Sequence, residues 1–135
     1  MPVVRDETLD VRSDADVVRV RQLTREWAVS IGFRLVDQTK VVTAASELAR
    51  NTLIHGGGGV VRLEALDDGG RRGLRLTFSD KGPGIADTAQ ALRDGYTTGS
   101  GLGLGLGGAR RLANEFHITS AIGQGTEVWI TRWLT

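Results

Sequence analysis

Glycine is the residue whose placement constrains this chain most. The 19 glycines among 135 residues gather at Gly56–Gly59 and through Gly95–Gly108. In the second stretch leucine alternates with glycine, where a flexible linker would carry serine and charge. Glycine is costly to order and permits close approach of backbone, so such runs argue for a chain that must pass near something.

Periodicity on either side of these runs organises the rest. Residues 3–12 alternate and read as a first strand. Ser13 is a good N-cap for a helix from Asp14, along which Val17, Val20, Leu23, Trp27 and Ile31 form one apolar face until Gly32. A second helix is expected over Val36–Ile54, stopped by His55 and the four glycines. Strands are expected over Val60–Leu66 and Leu74–Ser79, with Asp67–Gly73 as the turn between them. A loop over Asp80–Ile85, a short helix over Asp87–Asp94 and a helix over Ala109–Glu115 follow. Phe116–Ala121 and Glu127–Trp133 should close the chain as a hairpin around Gly123-Gln124-Gly125. That order implies an α+β fold, a two-layer sandwich with helices on one face of a mixed, mostly antiparallel sheet. The length suits one domain over residues 1–135.

Composition removes several classes of function. Seventeen basic residues nearly balance sixteen acidic ones, so no strong field points to nucleic acid or to an anionic membrane. No apolar run approaches the ~20 residues of a membrane span, and the early charges Arg5, Asp6 and Glu7 do not suit a signal peptide. Cysteine is absent, which excludes disulfides and thiolate chemistry and fits a reducing cytoplasm.

Four segments carry candidate chemistry. On the second helix, Lys40, Glu47, Asn51 and His55 share a stripe beside the apolar face of Val41, Ala45 and Leu48. Such a stripe is often only solvated surface, but a carboxylate and a carboxamide at i,i+4 can also activate a hydroxyl and hold magnesium. Asp80-Lys81-Gly82-Pro83-Gly84-Ile85 is either a plain turn or a site where a carboxylate accepts from the exocyclic amine of adenine. The run Gly99–Gly108 leads into a helix and presents backbone N–H groups to an anion. A dinucleotide fingerprint fits its letters, but the polar Asp94-Gly95-Tyr96-Thr97-Thr98 precedes it in place of a buried strand. No Gly-Lys-Ser/Thr occurs, so it is not a Walker A loop. Gly123-Gln124-Gly125-Thr126 is by itself a hairpin turn entering a strand.

The order of these segments is more specific than any one of them. Glu47-x-x-x-Asn51, Asp80-x-Gly82-x-Gly84, Gly101-x-Gly103-x-Gly105 and Gly123-x-Gly125-Thr126 resemble the nucleotide-binding boxes of the GHKL (Bergerat-fold) ATPases. Arg21-Gln22-Leu23, Gly32-Phe33, the run from Gly101 to Phe116 and the run from Gly125 to Leu134 extend the likeness over roughly residues 10–135. Within that family the chain resembles the small serine/threonine kinases that regulate sigma factors and stressosomes. The resemblance implies that Asn51 holds Mg²⁺ and that Glu47 is the general base. It implies that Asp80 reads adenine in a pocket built with Gly82, Gly84 and Ile85, with Thr126 supporting through water. Gly101, Leu102, Gly103, Leu104 and Gly105 would wrap the phosphates of ATP, in a lid over Gly95–Gly107 that nucleotide orders. His55 matches the histidine of the related anti-sigma kinases. The implied activity is phosphorylation of STAS-domain partners, after which the released kinase activates a downstream output protein such as a phosphatase. Two alternatives stay open: an anti-sigma factor kinase that binds a sigma factor directly, and a non-catalytic nucleotide-dependent binding module.

Overall fold

The computed structural model describes residues 2–92 and 106–134. Strand β1 (Val3–Val11) runs into helix α1 (Asp14–Ile31), which is followed by α2 (Leu35–Ile54). Next come the hairpin of β2 (Gly59–Asp68) and β3 (Arg71–Asp80), the one-turn helix α3 (Thr88–Ala91) and α4 (Leu106–Arg111). The chain ends in the hairpin of β4 (Glu115–Ala121) and β5 (Gly125–Trp133).

Both ends of α1 follow from local chemistry. Ser13 Oγ accepts the Asp16 N–H, and Gly32, at φ 110°, turns its own N–H back onto the Ala28 and Val29 carbonyls. The left-handed φ is why glycine stands there. Between these caps Val17, Val20, Trp27 and Ile31 are buried, with Leu23 partly so. Helix α2 buries Val41, Ala44, Ala45, Leu48 and Ala49. Ala44 is fully buried, so it belongs to the core and interrupts the polar stripe expected through it.

The five strands lie in the order β1-β2-β3-β5-β4, and all four pairings are antiparallel. The sheet is thus antiparallel throughout its described pairings, with no parallel pair of the expected mixed sheet among them. Side chains alternate across it. Val61, Phe78, Val128 and Ile118 stand in one row facing the helices. The next row, Arg62, Thr77, Trp129 and His117, faces the other way. There His117 stacks on Trp129 with centroids 5.5 Å apart, and the Arg75 guanidinium lies 4.2 Å over the same indole.

Two expected elements differ in extent. The β2–β3 turn is Gly69-Gly70 alone, at φ 63° and 90°, and the strands absorb the rest of Asp67–Gly73. Two adjacent positive φ values suit the tight hairpin turn whose twist matches the strands. Helix α4 occupies Leu106–Arg111 rather than Ala109–Glu115, because Glu115 begins β4 and pairs with Thr131. The short helix expected over Asp87–Asp94 is Thr88–Ala91 as described. No helix among the described residues is long and apolar enough to cross a membrane.

Candidate functional site

The site is built where the end of α2 meets the ends of β3 and β5. Asp80 is the last residue of β3; its neighbours across the ladders are Gly59 on β2 and Thr126 on β5. Asp80 Oδ1 accepts the Gly82 N–H at 2.9 Å, which leaves Oδ2 for a ligand. A cavity of about 40 Å³ opens beneath α2. Leu48, Asn51, Thr52 and His55 line it from the helix, and Phe78, Asp80, Thr126 and Val128 from the sheet. Gly56, Pro83, Gly84, Ile85 and Leu106 complete the wall. Ligand pockets usually exceed roughly 300 Å³, so this one must widen to admit a base. A depression of about 1000 Å³ lies nearby and shares Asp80 and Thr126 with it. That depression is centred on Val60, Ser79, Thr119 and Glu127, the residues that alternate to the helix-free face. The smaller cavity is the candidate site, because apolar walls and Asn51, Asp80 and Thr126 converge there.

The structure places the expected site residues unevenly. Asn51, His55, Asp80, Gly84, Ile85 and Thr126 meet at the cavity. Glu47 lies one turn before Asn51 on α2, half-buried and outside the lining. Gly82 is also outside the lining, and its backbone N–H serves Asp80. Gly101, Leu102, Gly103, Leu104 and Gly105 lie outside the described residues, as does most of the expected lid.

The glycines of the 80–85 loop have reasons inside the protein. A Cβ on Gly84, whose φ is 78°, would land on the Ala121 carbonyl. A Cβ on Gly82 would stand 2.7 Å from the Gly56 Cα. The loop is held to the last hairpin by the Gly123 N–H on the Pro83 carbonyl and the Ile85 N–H on Ser120 Oγ, both at 2.8 Å.

Sequence reasoning missed three contributors. Gly56 and Gly59 admit Asp80 and Ser79 against the end of α2, since a Cβ on either would collide with them. The four-glycine run after His55 was their visible signal. Ser120 touches Ile85, Gly125 and Thr126, and a serine in a short strand gives no sequence warning of that.

As to a metal, the described residues hold no group of three or more His, Cys, Asp or Glu side chains able to bind one. Magnesium carried by nucleotide phosphates keeps its waters and needs one or two protein oxygens, so the Asn51 carboxamide fits it.

A helical layer over an antiparallel sheet, with a carboxylate at a strand end and an asparagine on the facing helix, is the arrangement expected of an ATPase-type fold. Residues 36–134 match the family of histidine kinase-, DNA gyrase B- and HSP90-like ATPases, and the chain belongs to that family. It is similar to the serine/threonine-protein kinase RsbT of Bacillus subtilis (strain 168), at 43% identity over 92% of this chain and 93% of the relative. It is also similar to an anti-sigma F factor of Geobacillus sp. (strain WCH70), at 29% identity over 73% of this chain and 71% of that one. In fold it resembles the crystal structure of the RsbU and RsbW domains of a Mycobacterium tuberculosis protein. There the TM-score is 0.65 at 21% identity, covering 98% of this chain and 34% of the other.

Proposed function

We propose that this chain is a protein serine/threonine kinase that moves the γ-phosphoryl group of ATP to a hydroxyl on a STAS-domain partner. The observation that carries it is the meeting of Asp80, Thr126 and Asn51 at one cavity below α2. The 43% identity to a protein named a serine/threonine kinase supports the reaction. Asp80 accepts from the adenine amine, and the apolar walls from Leu48, Phe78 and Val128 cover the ring. Asn51 would hold the magnesium ion, which would supply neutralisation of phosphate charge.

Glu47 takes the proton from the attacking hydroxyl. The hydroxyl oxygen bonds to the γ-phosphorus as the bond to the bridging oxygen breaks, and ADP leaves. Such chemistry asks mainly for positioning and charge stabilisation. The phosphorylated STAS protein then lets the kinase go, and the free kinase acts in the cytoplasm on a downstream output protein. Direct sigma-factor binding is the second reading, favoured by the 29% relative named an anti-sigma factor. Incubation with radiolabelled ATP, magnesium and a STAS protein from the same genome tests the first. Label on a serine or threonine of the STAS protein is expected. Unlabelled STAS protein, with sigma factor co-purifying instead, overturns it.

A further inference from the structure

Beside the cavity, one hydroxyl makes three contacts. Ser120 Oγ, half-buried on β4, accepts the Ile85 N–H at 2.8 Å. It lies 2.9 Å from the Gly125 carbonyl oxygen and 2.7 Å from Thr126 Oγ1. The protons of this cluster can be counted. A carbonyl oxygen has none, and each hydroxyl has one together with two lone pairs. The Gly125 contact therefore requires the Ser120 proton, and the Thr126 contact then requires that of Thr126. The reverse assignment leaves two oxygens 2.9 Å apart with no proton between them, and a hydrogen bond is lost. Thr126 thus has its proton committed to Ser120 and presents only lone pairs elsewhere.

Thr126 faces Asp80 across the β3–β5 ladder, and an ionised carboxylate is also acceptor-only. We propose that Ser120 is a positioning residue for base selectivity, which holds the Thr126 hydroxyl as an acceptor and so excludes purines with a carbonyl at position 6. The proposal rests on the adenine-nucleotide reading above. The amine of adenine brings two donors, one for Asp80 and one for Thr126 or a water bridging to it. The 6-oxo group of hypoxanthine or guanine brings lone pairs against lone pairs. A threonine free to rotate would turn its proton to that oxygen and accept the wrong base. Ser120 removes this freedom.

The test is calorimetric titration of the full chain, with magnesium, against ADP, IDP and the diphosphate of purine riboside, which carries only hydrogen at position 6. For the wild type the expected order of affinity is ADP, then purine riboside diphosphate, then IDP. Ser120→Ala should raise IDP binding relative to ADP by about tenfold, the worth of one hydrogen bond. The double variant Ser120→Ala/Thr126→Val should lose that gain, because the rotating donor is gone. Ser120→Thr, which keeps the hydroxyl, should keep the wild-type ratio. A merely structural role would weaken all three nucleotides together, so an unchanged ADP-to-IDP ratio in Ser120→Ala overturns the proposal. If Ser120→Ala binds nothing, the wild-type order decides: IDP at least as tight as purine riboside diphosphate also overturns it. A wild type that binds no ADP overturns the nucleotide reading itself.

Discussion

A Cβ on Gly56 would stand 2.5 Å from the Asp80 Cβ, so the turn after α2 packs directly against the carboxylate that ends β3. Gly56 is not among the glycines with positive φ, so alanine meets steric crowding there without backbone strain. Gly56→Ala should therefore push the Asp80 side chain aside at modest cost in stability. We expect nucleotide affinity to fall about tenfold, as for one displaced hydrogen bond, while the melting temperature moves by a few degrees. Calorimetric titration alongside thermal unfolding separates the two effects.

Asp80→Asn exchanges an acceptor for a group that is half donor. The amide cannot satisfy both the Gly82 N–H and the adenine amine in every orientation, and one is left unpaired. ADP binding should weaken by about tenfold or more, a cost typical of an unsatisfied buried partner. Equal affinity of the wild type for GDP and ADP would count against adenine recognition.

Glu47 and Asn51 sit one turn apart on α2 but only Asn51 lines the cavity, so their losses should separate. Glu47→Ala should bind nucleotide as the wild type does and lose phosphotransfer by about 10²-fold or more, because a base acts only on the transferred proton. Asn51→Ala should lose the magnesium-dependent part of nucleotide affinity as well. Titration with and without EDTA, beside a labelled phosphotransfer assay, distinguishes them. A Glu47→Ala enzyme with the wild-type rate would remove the general-base assignment.

The Arg132 guanidinium ties β5 to α2 and to the turn after α4. Its Nη2 meets Asp37 Oδ1 at 2.7 Å, and its Nη1 donates to the Leu112 carbonyl at 2.9 Å. Both side chains of the ion pair are mostly covered, at 16% and 30% exposure, so solvent screens it less than a surface pair. Asp37→Ala leaves the arginine without its counter-charge and should destabilise by about 1–3 kcal/mol. The midpoint of urea unfolding should drop with the slope unchanged. A midpoint within error of the wild type would show that the pair adds nothing.

Phosphorylation of the STAS partner should act as the release step. A phosphoryl group adds about −1.5 to −2 charges at neutral pH, which disrupts a docking surface that holds carboxylates. We expect kinase and unmodified partner to co-elute in size-exclusion chromatography and to separate once ATP and magnesium are added. Release should fail in Glu47→Ala, since nucleotide binding alone leaves the interface uncharged. Full co-elution of phosphorylated partner and kinase would exclude this switch.

The sequence by itself determined the elements whose causes are local. The cap at Ser13 and the stop at Gly32 need only a side-chain acceptor and one left-handed φ, and both are visible in single residues. The apolar spacing of α1 and α2 and the alternation of β1 need only helical or pleated periodicity. Asn51 and Asp80 were likewise legible as candidates, because each stands in a short pattern with its own chemical sense, whereas Thr126 stood out only through the resemblance to the family. Tertiary structure decided what lies between distant segments. Glu115 joined β4 rather than a helix because Thr131 was there to pair with it, and long-range pairing overrides local propensity. The register that sets Asp80 opposite Thr126 comes from rows such as Phe78 and Val128 packing beneath the helices, and a slip of one residue would turn every side chain to the other face. The β4–β5 register brings Ser120 to Thr126, and the last hairpin meets Ile85 through the Ser120 hydroxyl, contacts no local pattern announces. Local preferences act over a few residues, whereas the polar groups of this site meet only after the core has chosen how its strands align.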